Sequence, residues 1–421
     1  MTARLALVLR LGGALAGLAV LLAVAPSAGA WTRLGSGGLD NTVDPATVVL
    51  ADGTTVVAYR EPKPRALVVA IDGRPKTVAS GLASVGDPAL VQLANGSLLL
   101  LSADQDGVVA YSSSNGGRSW SAATKTASTD TGDVQGASAR PDSSPLFSQD
   151  GTGFLNVFQG AAGGAMHNVF PSCCGYAESL AVDSHGLAQI AFWSNASGKS
   201  GYLFGKLDAS GALAGGLRTL STGATAENDL RVPLVTDRSG NTFVAFANGY
   251  PTPTAFIVDT LRGGATTHSV TLAKGSFTGN QPSMALAVDR SGRLWAVWTQ
   301  GGSVWAARSR SHGAHFGAAV HVPLPGSSYA LEAAAESSGS VQAVVNDGSA
   351  LKTQTLLPGL TVQVSGPVVS VLDDGFPVAG ASVRGDGVTV KTDAAGRATF
   401  ASLAPHTPIA VNATGYAPAS T

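Results

Sequence analysis

The sequence predicts an all-β chain, on three observations. Seven stretches share one pattern: an apolar run, a polar turn ending in glycine, and a second apolar run. The runs are short and rich in Val, Leu, Phe and Trp, and helical periodicity is absent after the first thirty residues. The stretches recur about every 48 residues, the spacing of blade repeats in a β-propeller. The fold read from them is a β-propeller of seven blades, or six if one stretch is not a blade, and a second, smaller module follows the last stretch.

Residues 1–30 read as a secretion signal. Arg4 and Arg10 give a positive start, LGGALAGLAVLLAVA an apolar stretch, and Ala28-Gly29-Ala30 a cleavage site before Trp31. The apolar stretch is short for a span of roughly 20 residues. The expected product is a secreted, extracellular monomer with no membrane attachment once the signal is removed. Only 13% of residues are charged, the net charge is −1, and no polybasic run occurs. Nucleic acid is therefore not an expected partner. The 53 glycines and 21 prolines punctuate apolar runs, which is the pattern of many turns in a folded chain.

The propeller is expected over residues 31–362. Its stretches are ATVVLADGTTVVAYR, ALVQLANGSLLLLSA, PLFSQDGTGFLNVFQ, SLAVDSHGLAQIAFW, PLVTDRSGNTFVAFA, ALAVDRSGRLWAVWT and EAAAESSGSVQAVVN. Their turn glycines are Gly53, Gly96, Gly151, Gly186, Gly240, Gly292 and Gly339. Each stretch reads as the two inner strands of a blade joined by a hairpin turn. A third strand follows in DGVVAYSSS, SGYLFGKLD and GSVWAARSR.

After the first of these third strands comes SSNGGRSW. Ser113, Asn115, Gly117 and Trp120 at this spacing resemble the Asp-box of sialidase-type (BNR) propellers. SRSHGAHF is similar, with Ser309, Ser311, Gly313 and Phe316 in the same places. The resemblance implies a turn between the third and fourth strands, with an acidic residue bonding the turn backbone. It also implies an aromatic packed between strands, here within its own blade. Asn115 and Ser311 stand where the family has Asp. By the topology of the family these turns are structural and lie on the face opposite the ligand site.

Residues 363–421 form a second module. DDGFPVAGASV, KTDAAGRATF and VNATGYAPAS resemble the carboxypeptidase regulatory-like, prealbumin-type β-sandwich. Asp374-Gly375 is expected to turn the chain, and Val378 and Ala381 to face a small core. The resemblance implies a spacer or attachment domain.

In a propeller, the loops entering the innermost strands open on the ligand face. Here they present Asp44, Asp87, Arg140 with Asp142, Glu178, Asp229 with Arg231, Gln281 and Glu332. Second-strand ends add Tyr59, Arg60, Trp193 and Trp298. Arg140, Tyr176, Glu178, Asp229 and Arg231 are the candidate ligand-binding residues. Carboxylates, arginines and aromatics in one ring suit a polar ligand such as a glycan. A sialidase-type hydrolase would need three arginines to clamp a carboxylate, a Tyr–Glu nucleophile pair and an acidic proton donor. The single Arg-Val-Pro, at Arg231, falls in the fifth stretch, whereas the family's arginine motif precedes its first complete Asp-box. The leading reading is non-catalytic binding of a glycan or exported surface molecule. A sialidase-type glycoside hydrolase and a protein-interaction scaffold are the alternatives. No cofactor or metal is expected: of seven histidines only His312 and His315 are close, and they lie in a turn.

Cys173 and Cys174 are the only cysteines, and they are adjacent. Export favours oxidation, and each has only its neighbour as an intramolecular partner. A disulfide between them is expected, just before the innermost strand of the fourth stretch.

Overall fold

The structure is a computed structural model. It describes residues 31–34, 39, 43–149, 154–160, 164–172, 174–221, 231–248, 253–275, 283–324 and 326–421. The expected secretion signal, Gly151, Cys173, Asp229 and Gln281 lie outside the described residues. Among the described residues there is no helix, and the chain forms nine four-stranded antiparallel sheets.

Seven of these sheets follow one another along residues 32–356. Sheets one to six are meanders, each built from four strands in chain order. Their first strands are Ala46–Val49, Ala89–Gln92, Val134–Ala139, Gly175–Val182, Leu234–Thr236 and Met284–Val288. Sheet seven begins with Ala330–Ala335 and takes its outermost strand from the N-terminal end, where Thr32 pairs with Thr353 and Leu34 with Leu351. Each first strand adjoins the next, and that of sheet seven adjoins that of sheet one, so the seven close a ring around a channel. This is the architecture of a β-propeller.

The alternation of side chains along a strand explains the near-continuous apolar runs. Val56 and Ala58 of sheet one pack on Leu98 and Leu100 of sheet two, while Val57 and Tyr59 between them pack on Val344 and Leu351 of sheet seven. Every pair of neighbouring sheets shares such a core. Burying each Val, Leu or Phe contributes about 1.5–3 kcal/mol. The turn glycines Gly53, Gly96, Gly186, Gly240, Gly292 and Gly339 all have φ between +78° and +89°. In sheets four to six an aspartate opens the same turn. The Asp237 carboxylate, for example, accepts from the amides of Ser239 and Asn241 at 2.8 and 3.0 Å.

Two expectations are corrected. PLFSQDGTGFLNVFQ does not hold the two inner strands of its sheet. Pro145–Gln149 and Leu155–Gln159 are the second and third strands, and Val134–Ala139 is innermost. That strand, VQGASA, is small and polar because its neighbours crowd it. A Cβ on Gly136 would lie 2.5 Å from Ser148 Oγ and 3.0 Å from the Leu180 amide nitrogen. Trp120 also packs differently. It lies against the core shared by sheets one and two, so it seals its own sheet to the preceding one. The turn around it closes as the resemblance implies. Ser113 Oγ accepts from the Gly117 amide at 2.9 Å, and Asn115 Oδ1 takes the Ser119 amide at 2.9 Å.

The last two sheets enclose one further core of Val369, Val371, Ala381, Val383, Ala398 and Val411. Leu360 is already part of this core, three residues before the expected boundary. Asp374 and Gly375, at φ 53° and 80°, form the two-residue hairpin turn between Val368–Asp373 and Phe376–Pro377. Val378 and Ala381 are buried in the core, as expected.

Candidate functional site at the channel mouth

Each ring sheet places one polar residue at the entry end of its innermost strand. In chain order they are Asp44, Asp87, Asp133, Glu178, Arg231, Ser283 and Glu332. The positions are fixed by backbone bonds. Val43 O, next to Asp44, accepts from Asn346 Nδ2 at 2.8 Å. Asp87 N donates to Asp133 Oδ1 at 2.7 Å, joining sheets two and three. The Val232 amide donates to Ala177 O at 2.8 Å, tying the Arg231 segment to sheet four. Ala177 has φ 57° and sits in the register shift between Tyr176 and Ser179. That bulge sets Glu178, fully buried, at the mouth.

Two arginines answer five carboxylates. Arg60, at the end of the second strand of sheet one, has Nε 2.6 Å from Asp87 Oδ1. Arg231 Nη1 lies 2.6 Å from Glu332 Oε1, and both side chains keep a partial exposure, 19% and 23%, to the channel they line. Burial pushes the Asp44 carboxyl up to about 6, and nearby Glu332 and Asp133 add to the rise against the pull of Arg231 and Arg60. Asp87 is raised well above the usual carboxylate range, by burial first and by Asp133 and Asp44 next. Glu332 is raised by burial, which outweighs Arg231. Burial works against the Arg231 charge, but Glu332, Asp44, Asp87 and Glu178 outweigh it and hold the guanidinium protonated. The mouth thus gathers five carboxyl groups around two guanidinium groups, and burial favours the protonated form of Asp44, Asp87 and Glu332.

Below the mouth the channel has room of about 370 Å³, lined mostly by small and aliphatic side chains such as Thr47, Ala89, Ser138, Ser179 and Thr236. Arg231 is the one arginine among the described residues that line it. Among the described residues no three His, Cys, Asp or Glu side chains are grouped to hold a metal ion.

Of the residues singled out in the sequence, Glu178 and Arg231 meet at the mouth, and Asp229 lies outside the described residues. Tyr176 stands in the innermost strand of sheet four, its ring stacked on Trp193 with centroids 5.9 Å apart. Cys174 is buried beside it; the expected pairing with Cys173 lies outside the described residues. Arg140 is elsewhere. It follows the innermost strand of sheet three instead of preceding it, and it donates to Gly186 O and Asp208 O at 3.4 and 3.1 Å on the opposite face. Asp142 is in the same turn, where its carboxylate caps the Ser144 amide. Asp133 was not singled out. Its signal was the Val134–Ala139 strand behind it, which is too small and polar to read as an inner strand.

No family model matches this chain, and no curated protein matches it. Solved structures do. A catalytically inactive virginiamycin B lyase from Staphylococcus aureus with quinupristin is similar at a TM-score of 0.51 and 11% identity, over 77% of this chain and 98% of that one. The selenomethionine-substituted form of that lyase has a TM-score of 0.51 and 10% identity over the same shares. The Cps50 (Swd1) β-propeller domain of Myceliophteria thermophila has a TM-score of 0.49 and 12% identity, over 77% of this chain and 99% of that one. At these identities the likeness to the lyase shows the fold alone: this chain is similar to β-propeller proteins.

Proposed function

We propose that this chain is an exported, seven-bladed propeller with a C-terminal β-sandwich, and that it binds a neutral or amino-bearing glycan at the channel mouth without cleaving it. The observation that carries this reading is the ring of Asp44, Asp87, Asp133, Glu178, Arg231, Ser283 and Glu332, one residue from each sheet. Of these, Asp44, Asp133, Arg231 and Glu332 keep partial exposure; their carboxylates accept from sugar hydroxyls, and the guanidinium donates to them. Both guanidinium groups are already paired with carboxylates, which selects against acidic sugars.

The same features weigh against sialidase chemistry. Arg231 is held by Glu332 and Arg60 by Asp87, so neither forms part of a free three-arginine clamp. The Tyr176 ring is stacked on Trp193. A glycan-array screen of residues 31–421, run alongside fluorogenic sialosides, tests the reading. Retention of a neutral or amino-sugar glycan with no fluorophore released supports it, and release of fluorophore overturns it.

A further inference from the structure

The Ser309–Phe316 turn has serine at position 311, where the resembling motif carries an acid, yet a carboxylate stands there. Asp374 Oδ2 accepts from the amides of Arg310 and Ser311 at 2.6 and 3.0 Å and from the Ser311 hydroxyl at 3.0 Å. Its other oxygen is bonded to His315 Nδ1. In the Ser113–Trp120 turn Asn115 Oδ1 takes the Ser119 amide, and in the second turn Ser311 Oγ takes the matching His315 amide at 3.2 Å, so Asp374 adds a carboxylate on the amides of Arg310 and Ser311. At the second turn the acid arrives from the hairpin of the C-terminal module, whose φ-positive turn aims it there.

The surroundings are built for this insertion. Asp373, beside Asp374, lies 2.5 Å from Arg308 Nη2, and both side chains are at most 3% exposed. Tyr416 of the same module donates its hydroxyl to Asp373 Oδ2 at 3.2 Å, and Arg308 lies over the Tyr416 ring. Gly317 leaves room for the approach, since a Cβ there would come within 3.0 Å of the Asp374 amide nitrogen. Ala417 joins the core shared by sheets six and seven.

We propose that the C-terminal module is a docked part of sheet six, and that Asp374 supplies the carboxylate the Ser309–Phe316 turn lacks. The docking surface is Arg308, Arg310, Ser311 and His315 on the face opposite the channel mouth, and its occupant is the Asp373–Gly375 turn of the same chain. The module is thereby fixed in orientation, and the mouth stays open.

Hydrogen exchange on the full-length chain tests this. In Asp374→Ala, amide protection across residues 308–317 should fall about tenfold to a hundredfold, the effect of losing charged hydrogen bonds. Adding Ser311→Asp to that variant restores a carboxylate within the turn and should recover the protection. Ser311→Asp alone sets two carboxylates side by side, because the Ser311 hydroxyl now lies 3.0 Å from Asp374 Oδ2. It should expose residues 357–362 while the turn stays protected. Unchanged protection in Asp374→Ala overturns the proposal, as does a double variant no better protected than the single. If Asp374→Ala does not fold, recovery of soluble protein by Ser311→Asp supports the proposal, and failure to recover it counts against it.

Discussion

Arg231 Nη1 donates to Glu332 Oε1 across 2.6 Å, and the two residues come from sheets five and seven. The pair therefore bridges the innermost strand of sheet six and closes part of the mouth. Arg231 also stands in the field of Asp44, Asp87 and Glu178. Replacing it removes the cation that offsets several carboxylates at once.

Arg231→Ala should therefore destabilise the fold by about 2 kcal/mol at pH 7.5, below the figure for a fully buried pair because both partners keep some exposure. The loss should shrink at pH 5.5, where protonated acids no longer need a counter-charge. Urea unfolding at the two pH values measures it. An equal loss at both would mean that Arg231 acts by packing alone.

Asp44 gives a sharper pH test. Its carboxyl is raised from 3.8 to about 6 in the folded protein. Between those values the folded state holds the proton and the unfolded state does not, so stability falls as pH rises through this window. Asp44→Asn removes the penalty. The variant should melt higher than the parent at pH 7.5, and the two should converge below about pH 4. Asp87 and Glu332, raised in the same direction, leave a residual slope in the variant. Melting curves from pH 4 to 8 decide it; a variant less stable at pH 7.5 refutes the assignment.

Arg308 and Asp373 form a pair from which water is excluded. Asp373→Asn leaves the guanidinium buried without its counter-charge, and should cost about 3–5 kcal/mol. Arg308→Met with Asp373→Leu should recover most of that loss. Chemical denaturation of the three proteins shows whether it does.

These pairs mark the limit of what the sequence discloses. The strand pairs were legible because a short polar turn ending in Gly between apolar runs has few other conformations to adopt. Sheets one, two, four, five, six and seven each contain the two inner strands expected of them. Val134–Ala139 was illegible because close approach at Gly136 demands small residues, and a run of Gly, Ala and Ser carries no apolar period. Misplacing that strand put Arg140 on the wrong face and hid Asp133. The pairing of Arg231 with Glu332 spans 101 residues. That of Ser311 with Asp374 joins two modules. Neither leaves a trace in local spacing.

Cys173 and Cys174 are expected to be disulfide-linked in exported protein. Mass spectrometry without reductant should show the peptide two hydrogens lighter than the dithiol, and alkylation should find no thiol. Two alkylated cysteines in protein secreted under oxidising conditions would show that no bridge forms.

Titration calorimetry measures glycan binding at the mouth. The glycan retained on the array is titrated into the parent protein, into Asp44→Asn and into Glu332→Gln, with a sialoside as the control ligand. Saturable binding of the neutral or amino-bearing glycan is expected, with a loss of about tenfold or more in each variant and neither binding nor cleavage of the sialoside. Binding unaffected by both substitutions, or sialoside turnover that disappears in Arg231→Ala, would contradict non-catalytic binding at the mouth.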